Sequence, residues 1–288
     1  MLIDDIVEYF RYLNQNGFKV TCHFFDSLFL HTSFLPYNYH RSSYCLYVKS
    51  SRMAWDRCID CQKRIQLRLK EVKTLSYYIG VCHAGIGEYV FPIRCSDGET
   101  VGFISLSGYA PAEKRYQLRR KRIAERYLLR APLLDELWER ETVAMPSDDR
   151  ELVSVIRPLL YMLTMFCDSQ REVLAIESAT REDVVYRAVI GYLNEHVFDA
   201  VTLDAICAEL GYSRSYVSHI FKRKSGLGIL AYLNRLRMEQ AKEFLAKTDL
   251  SIAEIATVIG YSDSNYFTNL FRKSFQISPR DYRKAFRT

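Results

Sequence analysis

The sequence is poor in every residue type that marks a special architecture. Seven prolines and twelve glycines in 288 residues exclude collagen-like and low-complexity chains, and 14% aromatic residues is too many for a disordered one. Eight cysteines are few for this length, and a chain this long buries a core that needs no disulfide staples. The longest strongly apolar stretch, around Leu159 to Cys167, is shorter than a bilayer span, and Asp168 closes it. The opening Met1-Leu2-Ile3-Asp4-Asp5 is acidic where a secretory signal is basic. These absences lead us to expect a cytoplasmic protein with reduced thiols and no membrane partner. Charge of one sign is also scarce, since 40 Lys+Arg against 34 Asp+Glu leave a net +6. That excess is compatible with a polyanionic partner and does not require one.

What is present falls into two textures. Met1 to Gln15 carries Ile3, Ile6, Val7, Phe10 and Leu13 at helical spacing, and Asn16-Gly17 stops the pattern. Runs of β-branched and aromatic residues then predict strands over Val20 to Phe25, Ser76 to Val81, Glu88 to Arg94 and Val101 to Ser107. Ser96-Asp97-Gly98-Glu99 is a hairpin signal between the last two. Ala54 to Val72 reads as a helix with Ile65 and Leu69 on its packed face. The expectation is an α+β domain, an antiparallel sheet with flanking helices.

The basic run from Glu113 to Arg130 reads as a solvated helix face, with a nucleic-acid contact as its alternative. Leu152, Val155, Ile156, Leu159, Leu160 and Leu163 form an apolar stripe kinked at Pro158, which serves either a core or a dimer interface.

The last third contains an internal repeat. Leu203 to Ser213 parallels Ile252 to Ser262 at an offset of 49. After one inserted residue the match resumes at an offset of 50, Tyr216-Val217 against Tyr266-Phe267 and Phe221-Lys222-Arg223 against Phe271-Arg272-Lys273. Each copy has the grammar of a helix-turn-helix. A short helix (Leu203, Ile206, Leu210; Ile252, Ile255, Ile259) ends at a glycine, and Tyr-Ser follows, the serine placed to cap the next helix. That second helix is expected to bury Tyr216, Ile220 and Phe221 in one copy and Tyr266, Phe267, Leu270 and Phe271 in the other, turning small polar groups outward above a basic C-terminal end. Outward polar side chains meet base edges while flanking cations neutralise phosphates, the layout of a recognition helix. Gly228 to Ala246 reads as one spacer helix with Leu230, Leu233, Leu236, Ala241 and Leu245 buried. A rigid spacer would let both recognition helices enter successive major grooves, about 34 Å apart.

Ser251-Ile252-Ala253-Glu254-Ile255-Ala256, Gly260-Tyr261, Tyr266-Phe267, Phe271-Arg272-Lys273, Ser278-Pro279 and Asp281-Tyr282-Arg283 resemble the signature of the AraC/XylS family of transcription regulators, over about residues 185 to 287. Gln276 departs from the family's usual glycine and implies a slightly altered turn. The resemblance implies that Ser215, Ser218 and His219 face bases from the first recognition helix, and Ser264, Asn265, Thr268 and Asn269 from the second. Arg214 and Lys222 are the expected phosphate contacts, Arg272 is a further expected DNA-binding residue, and His219 alternatively touches phosphate alone.

In the first part, Cys45, Arg57-Cys58-Ile59-Asp60-Cys61, Tyr78 to Ile86 with its Cys82-His83-Ala84-Gly85, Phe91-Pro92-Ile93 and Val101-Gly102-Phe103-Ile104 resemble the PocR sensory domain. That resemblance covers roughly residues 5 to 170 and implies a PAS-like fold that binds small hydrocarbon derivatives such as diols. An aromatic-walled cavity with a few hydrogen-bonding groups suits such a ligand, and Tyr78, Cys82, His83 and Tyr89 are the candidate contacts. The alternative is metal or thiol chemistry at Cys45, Cys58, Cys61 and Cys82, whose C-x-x-C pair lacks the spacing of a standard zinc knuckle.

An alkyl-acceptor repair enzyme fused to the same DNA-binding unit is a more remote reading. No Ser-His-Asp order, phosphate loop or carboxylate pair points to catalysis. The sequence thus predicts a non-enzymatic regulator with a sensory domain at 1–170, a helical linker at 171–184 and a double helix-turn-helix at 185–288. Its expected partners are double-stranded DNA, a small organic effector, a second copy of the chain and RNA polymerase, and no cofactor is identified beyond that effector or a metal.

Overall fold

The computed structural model describes residues 2–287 apart from 27–28, 30–31, 73, 114–115, 117–121 and 177–180. Two compact units divide the chain, Met1–Ile176 and Glu177–Thr288. The division lies inside the expected linker, because its first residues belong to the N-terminal unit. Arg171 pairs there with Asp97 and Glu99 of a β-hairpin turn.

The N-terminal unit contains α1 (Leu2–Gln15), β1 (Lys19–Phe24), a 3-10 turn at Thr32–Tyr37, α2 (Ser43–Lys49) and α3 (Arg52–Glu71). β2 (Tyr78–Val81), β3 (Gly87–Arg94) and β4 (Thr100–Ala110) follow, then α4 (Ile123–Tyr127), α5 (Ala131–Glu141), β5 (Val143–Ala144) and α6 (Arg150–Ile176). The sheet has the order β1-β4-β3-β2 with every neighbour antiparallel, and β5 adds a short parallel pairing to the end of β4. All four strands expected from sequence are present. Gly102 lets β4 approach β1, since a Cβ there would lie 2.4 Å from the His23 carbonyl oxygen.

Strand alternation gives the sheet two different faces. Cys22, Tyr89, Phe91, Ile93, Ile104 and Leu106 join Phe10 of α1 and Ile156, Leu159 and Leu163 of α6 in the main core. Thr21, His23, Glu88, Phe103 and Ser105 lie at the alternate positions and point the other way, under α2 and α3. There Leu69, Val90 and Phe103 form a small second cluster with Ile65 and Tyr78 packed against it.

The stripe on α6 is core. Leu152, Ile156, Leu159 and Leu163 are buried, and Val155 and Leu160 pack partly against them. The helix continues through Pro158. Its stretch Arg150–Glu172 is long and apolar enough to cross a membrane by length and composition, although its apolar stripe is spent on the sheet. Of the basic run at 113–130, residues 114–115 and 117–121 lie outside the described ones, and Ile123, Ala124 and Tyr127 of its end are buried in α4.

The C-terminal unit is helical: α7 (Arg181–Glu195), α8 (Leu203–Leu210), α9 (Arg214–Ser225), α10 (Ile229–Lys247), α11 (Ile252–Val258), α12 (Ser264–Phe275) and α13 (Pro279–Phe286). α7, α8 and α9 pack together, as do α11, α12 and α13, and α10 touches helices of both groups. Leu233, Leu236, Ala241 and Leu245 are buried as expected, whereas Leu230 is exposed. At its place Ile229 and Tyr232 face inward.

Candidate DNA-reading helices and sensor pocket

Each repeat positions its second helix by its caps. Thr202 accepts a hydrogen bond from Ala205 N at the start of α8, and Gly211 ends that helix at φ +70°. Ser213 then caps α9 by accepting from Tyr216 N. In the second copy Ser251 and Glu254 form a reciprocal capping box on α11. The cap of α12 is Asp263, which accepts from Asn265 N and Tyr266 N, in place of the expected Ser262. The inserted residue of the repeat accounts for that shift, because it places Asp263 one position before the helix.

Burial on both helices follows one stripe. Val217, Ile220 and Phe221 anchor α9, and Phe267 and Phe271 anchor α12. Tyr216 and Leu270 are half-buried and Tyr266 is exposed, so the expected apolar face is narrower than its sequence count. Arg214, Ser215, His219 and Lys222 of α9 are exposed, and Ser218 is half-buried beside them. On α12, Asn265, Asn269 and Arg272 are exposed while Ser264 and Thr268 are half-buried.

Two of the three cations at the end of α9 have partners within the unit. Arg223 pairs with Glu182 and Lys224 with Asp183, both acids lying in the first turn of α7. Arg214 pairs with Asp204 at 3.1 Å. Gln276 corrects the expectation of an altered turn. It adopts φ +59° and its N–H reaches Arg272 O at 2.8 Å, just as Gly226 at φ +72° reaches Lys222 O at 2.9 Å in the first copy.

The N-terminal unit holds a cavity, partly open to solvent, on the sheet face away from α1 and α6. Helical spacing builds one wall: Cys45, Val48 and Lys49 project from α2, and Cys58, Cys61, Gln62 and Ile65 from α3 at steps of three and four residues. The C-x-x-C pair is thus one stretch of a helix face. The turn between β2 and β3 brings Cys82, His83 and Ala84, and His23, Glu88 and Phe103 form the sheet floor. The Tyr44 hydroxyl fixes that turn by donating to Ala84 O at 2.9 Å.

Polar contacts organise the cavity. Cys58 Sγ lies 3.0 Å from His83 Nε2, and His83 Nδ1 lies 2.8 Å from the Tyr127 hydroxyl. Burial pushes the Cys58 thiol up to about 12 and raises Cys61 and Cys82, so these sulfurs are protonated thiols. Ser105 donates to Glu88 at 2.6 Å, and burial holds the Glu88 carboxyl above its ordinary range. His23 is lowered to about 3 and His40 well below its usual value, by burial first and the nearby Lys49 charge second. His23 Nε2 lies 3.0 Å from Thr21 Oγ1 and its ring stacks on Phe103 with centroids 4.6 Å apart.

Of the candidate ligand contacts, Cys82 and His83 line the cavity, and Tyr78 packs, as Ile65 does, against the Leu69, Val90 and Phe103 cluster beside it. Tyr89 does not belong to the site. One step along β3 from Glu88, it points into the opposite core and is 1% exposed. Cys45, Cys58, Cys61 and Cys82 share the cavity lining as free thiols. Among the described residues no group of three or more His, Cys, Asp or Glu is arranged to hold a metal ion.

His23, His40, Lys49, Glu88 and Phe103 escaped sequence reasoning. For Lys49 a signal existed, as the last residue of the otherwise apolar turn Cys45-Leu46-Tyr47-Val48-Lys49.

Two family models match the chain: a helix-turn-helix domain over residues 206–285 and the sensory domain found in PocR over residues 30–166. The regulatory protein PocR of Salmonella typhimurium is 28% identical over 70% of each chain. The uncharacterized HTH-type transcriptional regulator YijO of Escherichia coli is 36% identical over 38% of this chain and 39% of its own. The chain thus spans about two fifths of the length of that relative. A solved structure, the C-terminal domain of AraT, a response regulator from Geobacillus stearothermophilus, shows 32% identity over 38% of this chain and 91% of its own, with a TM-score of 0.36. The matched relatives are regulators, and no enzyme is among them. With an outward-facing pair of capped helices in one unit and a sensory fold in the other, the chain carries an AraC-type helix-turn-helix domain together with a PocR-type sensory domain.

Proposed function

We propose that this regulator reads a DNA site with α9 and α12 and that a small molecule bound in the N-terminal cavity biases this reading. The observation that carries it is the coexistence in one chain of two equivalent polar helix faces and a walled cavity with polar groups on its floor. Ser215, Ser218 and His219 are the base-facing set of α9, and Ser264, Asn265, Thr268 and Asn269 that of α12. Arg214, Lys222 and Arg272 take phosphates. The effector must prefer one arrangement of the chain over another, since a ligand of equal affinity for both shifts nothing. The contact set Cys82 and His83, with Tyr78 adjoining, fits a ligand of a few carbon atoms and mixed polarity. We read the protein as cytoplasmic and as acting as a homodimer that engages RNA polymerase at its promoter.

A second reading, thiol or metal sensing at Cys45, Cys58, Cys61 and Cys82, draws on the Cys58–His83 contact of 3.0 Å. Protonated thiols disfavour it as the resting state, because thiolate is the nucleophile and the ligand. Footprinting of the full chain on its own upstream region, with and without small organic molecules that raise its melting temperature, tests the main reading. A footprint that no stabilising molecule alters would refute it. Metal analysis of the purified chain, with Cys58→Ser as control, tests the second.

A further inference from the structure

The cavity described above has one unusual member. Lys49 is 4% exposed, the last residue of α2, and lines the cavity. Its Nζ donates to the His40 carbonyl oxygen at 2.8 Å and lies over the rings of Tyr39 and Trp55 at 5.0 and 5.7 Å. An ammonium has three N–H donors. One is used by that carbonyl, and no carboxylate pairs with Lys49 among the described residues. Burying a cation without an anion is costly, so such groups are ordinarily paired.

The rest of the lining does not supply the missing negative charge. Cys58, Cys61 and Cys82 are neutral thiols, His23 and His40 are neutral imidazoles, and burial favours the neutral form of Glu88. The cavity therefore sets the Lys49 ammonium beside hydrogen-bonding thiols and imidazoles, with no carboxylate in ion-pair contact with it among the described residues. A neutral ligand would leave that charge as it stands, whereas an anion would complete it.

We propose that the effector is a short-chain organic anion whose carboxylate is taken by the Lys49 ammonium, its remaining polar group meeting Glu88 and its carbon skeleton lying against Phe103 and Ile65. The proposal rests on the cavity being the effector site. It adds the chemical class, and it separates a carboxylic acid from the diol or alcohol of the same skeleton.

The test is a matched series on the full-length protein: lactate, lactamide and 1,2-propanediol, with formate, acetate and glycolate as smaller acids. Binding is read by calorimetry and by the rise in melting temperature, which a ligand of the folded state must produce. At least one acid is expected to bind about tenfold or more tightly than its amide or alcohol counterpart. Lys49→Met should weaken that acid about 10- to 100-fold, the range of a charged hydrogen bond, while Lys49→Arg keeps most of the binding. The melting temperature of each unliganded variant reports whether it is folded.

If the diol or amide binds as well as the acid and Lys49→Met leaves that binding unchanged, the anion inference is overturned and the cavity remains the effector site. If no acid, amide or alcohol binds, both fall.

Discussion

The buried arginine of the C-terminal unit gives the sharpest test of how its two helix-turn-helix copies are held together. Arg237, on α10, is 6% exposed. Its guanidinium donates to Val197 O at 2.7 Å, to Gly260 O at 3.3 Å and to Asp199 O, and lies 5.2 Å from the Tyr261 ring centroid. It thus ties the chain before the first copy to the turn of the second. Arg237→Met keeps an apolar stem but strands those carbonyls. At about 1–3 kcal/mol for a buried group left without its partner, with the cation–π contact added, a net loss of about 3 kcal/mol is expected. For a unit of this size that lowers the melting temperature by roughly 10–15 °C.

Gly260 provides the control. It sits at φ +88°, and a Cβ there would lie 2.9 Å from Arg237 Nη2 and 3.0 Å from Phe198 O. Gly211, the same position in the first copy at φ +70°, has nothing within 4 Å of such a Cβ. Gly211→Ala should therefore cost only the backbone term, about 1 kcal/mol, and Gly260→Ala clearly more. Because Arg237→Met removes one of the two clashes, the double variant should lose less than the sum of the singles. Calorimetry of the full chain, following the C-terminal transition, decides it. Equal losses at the two glycines, or strict additivity, would refute the reasoning.

Gln276→Gly should raise the stability of the same transition by about 0.5–1 kcal/mol, since glycine occupies the left-handed conformation without strain; a loss on denaturant titration would count against it. In the sensory unit, His23 and His40 are held neutral in the folded state, so below about pH 6.5 the unfolded chain takes up protons that the folded chain refuses. Stability is present above that pH and declines as pH falls, by at most about 1.4 kcal/mol per unit for each histidine. Glu88, held up by burial, works in the opposite sense, so the useful comparison is with His23→Phe, whose melting temperature should fall less between pH 7.5 and 5.5; identical falls would sink the assignment. On DNA, Asn269→Ala should relax sequence preference by about 1–3 kcal/mol at one position. Lys222→Ala should weaken binding to all duplexes alike and flatten the salt dependence. Footprints and salt titrations distinguish the two, and a reversed pattern would reject the division between base and phosphate contacts.

Sequence alone carried far in the C-terminal unit, because its signals are local. Glycine at the end of a short helix, a polar cap and a 3.6-residue apolar stripe each act within one turn, and the repeat states them twice. The misreadings there came from burial: Tyr266 and Leu230 lie at the margins of their stripes, where tertiary neighbours decide exposure. In the sensory unit the strands were legible for the same reason, but the cavity was not. Which alternate face of β3 closes a cavity depends on where α2 and α3 lie, so Tyr89 and Glu88 could not be told apart by sequence position. Lys49 and His40 become neighbours of Cys58 and His83 only through the fold. Arg237, surrounded by leucines and methionine on α10, gave no sign that its charge is buried.

The pairs Arg223–Glu182 and Lys224–Asp183 bear on how the regulator would respond to ionic strength. Two of the three cations in the last turn of α9 are already neutralised by carboxylates of the chain itself. For these two, contact with a phosphate is an exchange of one anion for another. The number of small ions set free, which fixes the salt slope, is then smaller than a count of lysines and arginines suggests. The first turn of α7 acts in this respect as an internal mimic of the DNA backbone, and Glu182→Gln with Asp183→Asn should steepen the slope by up to about two counterions.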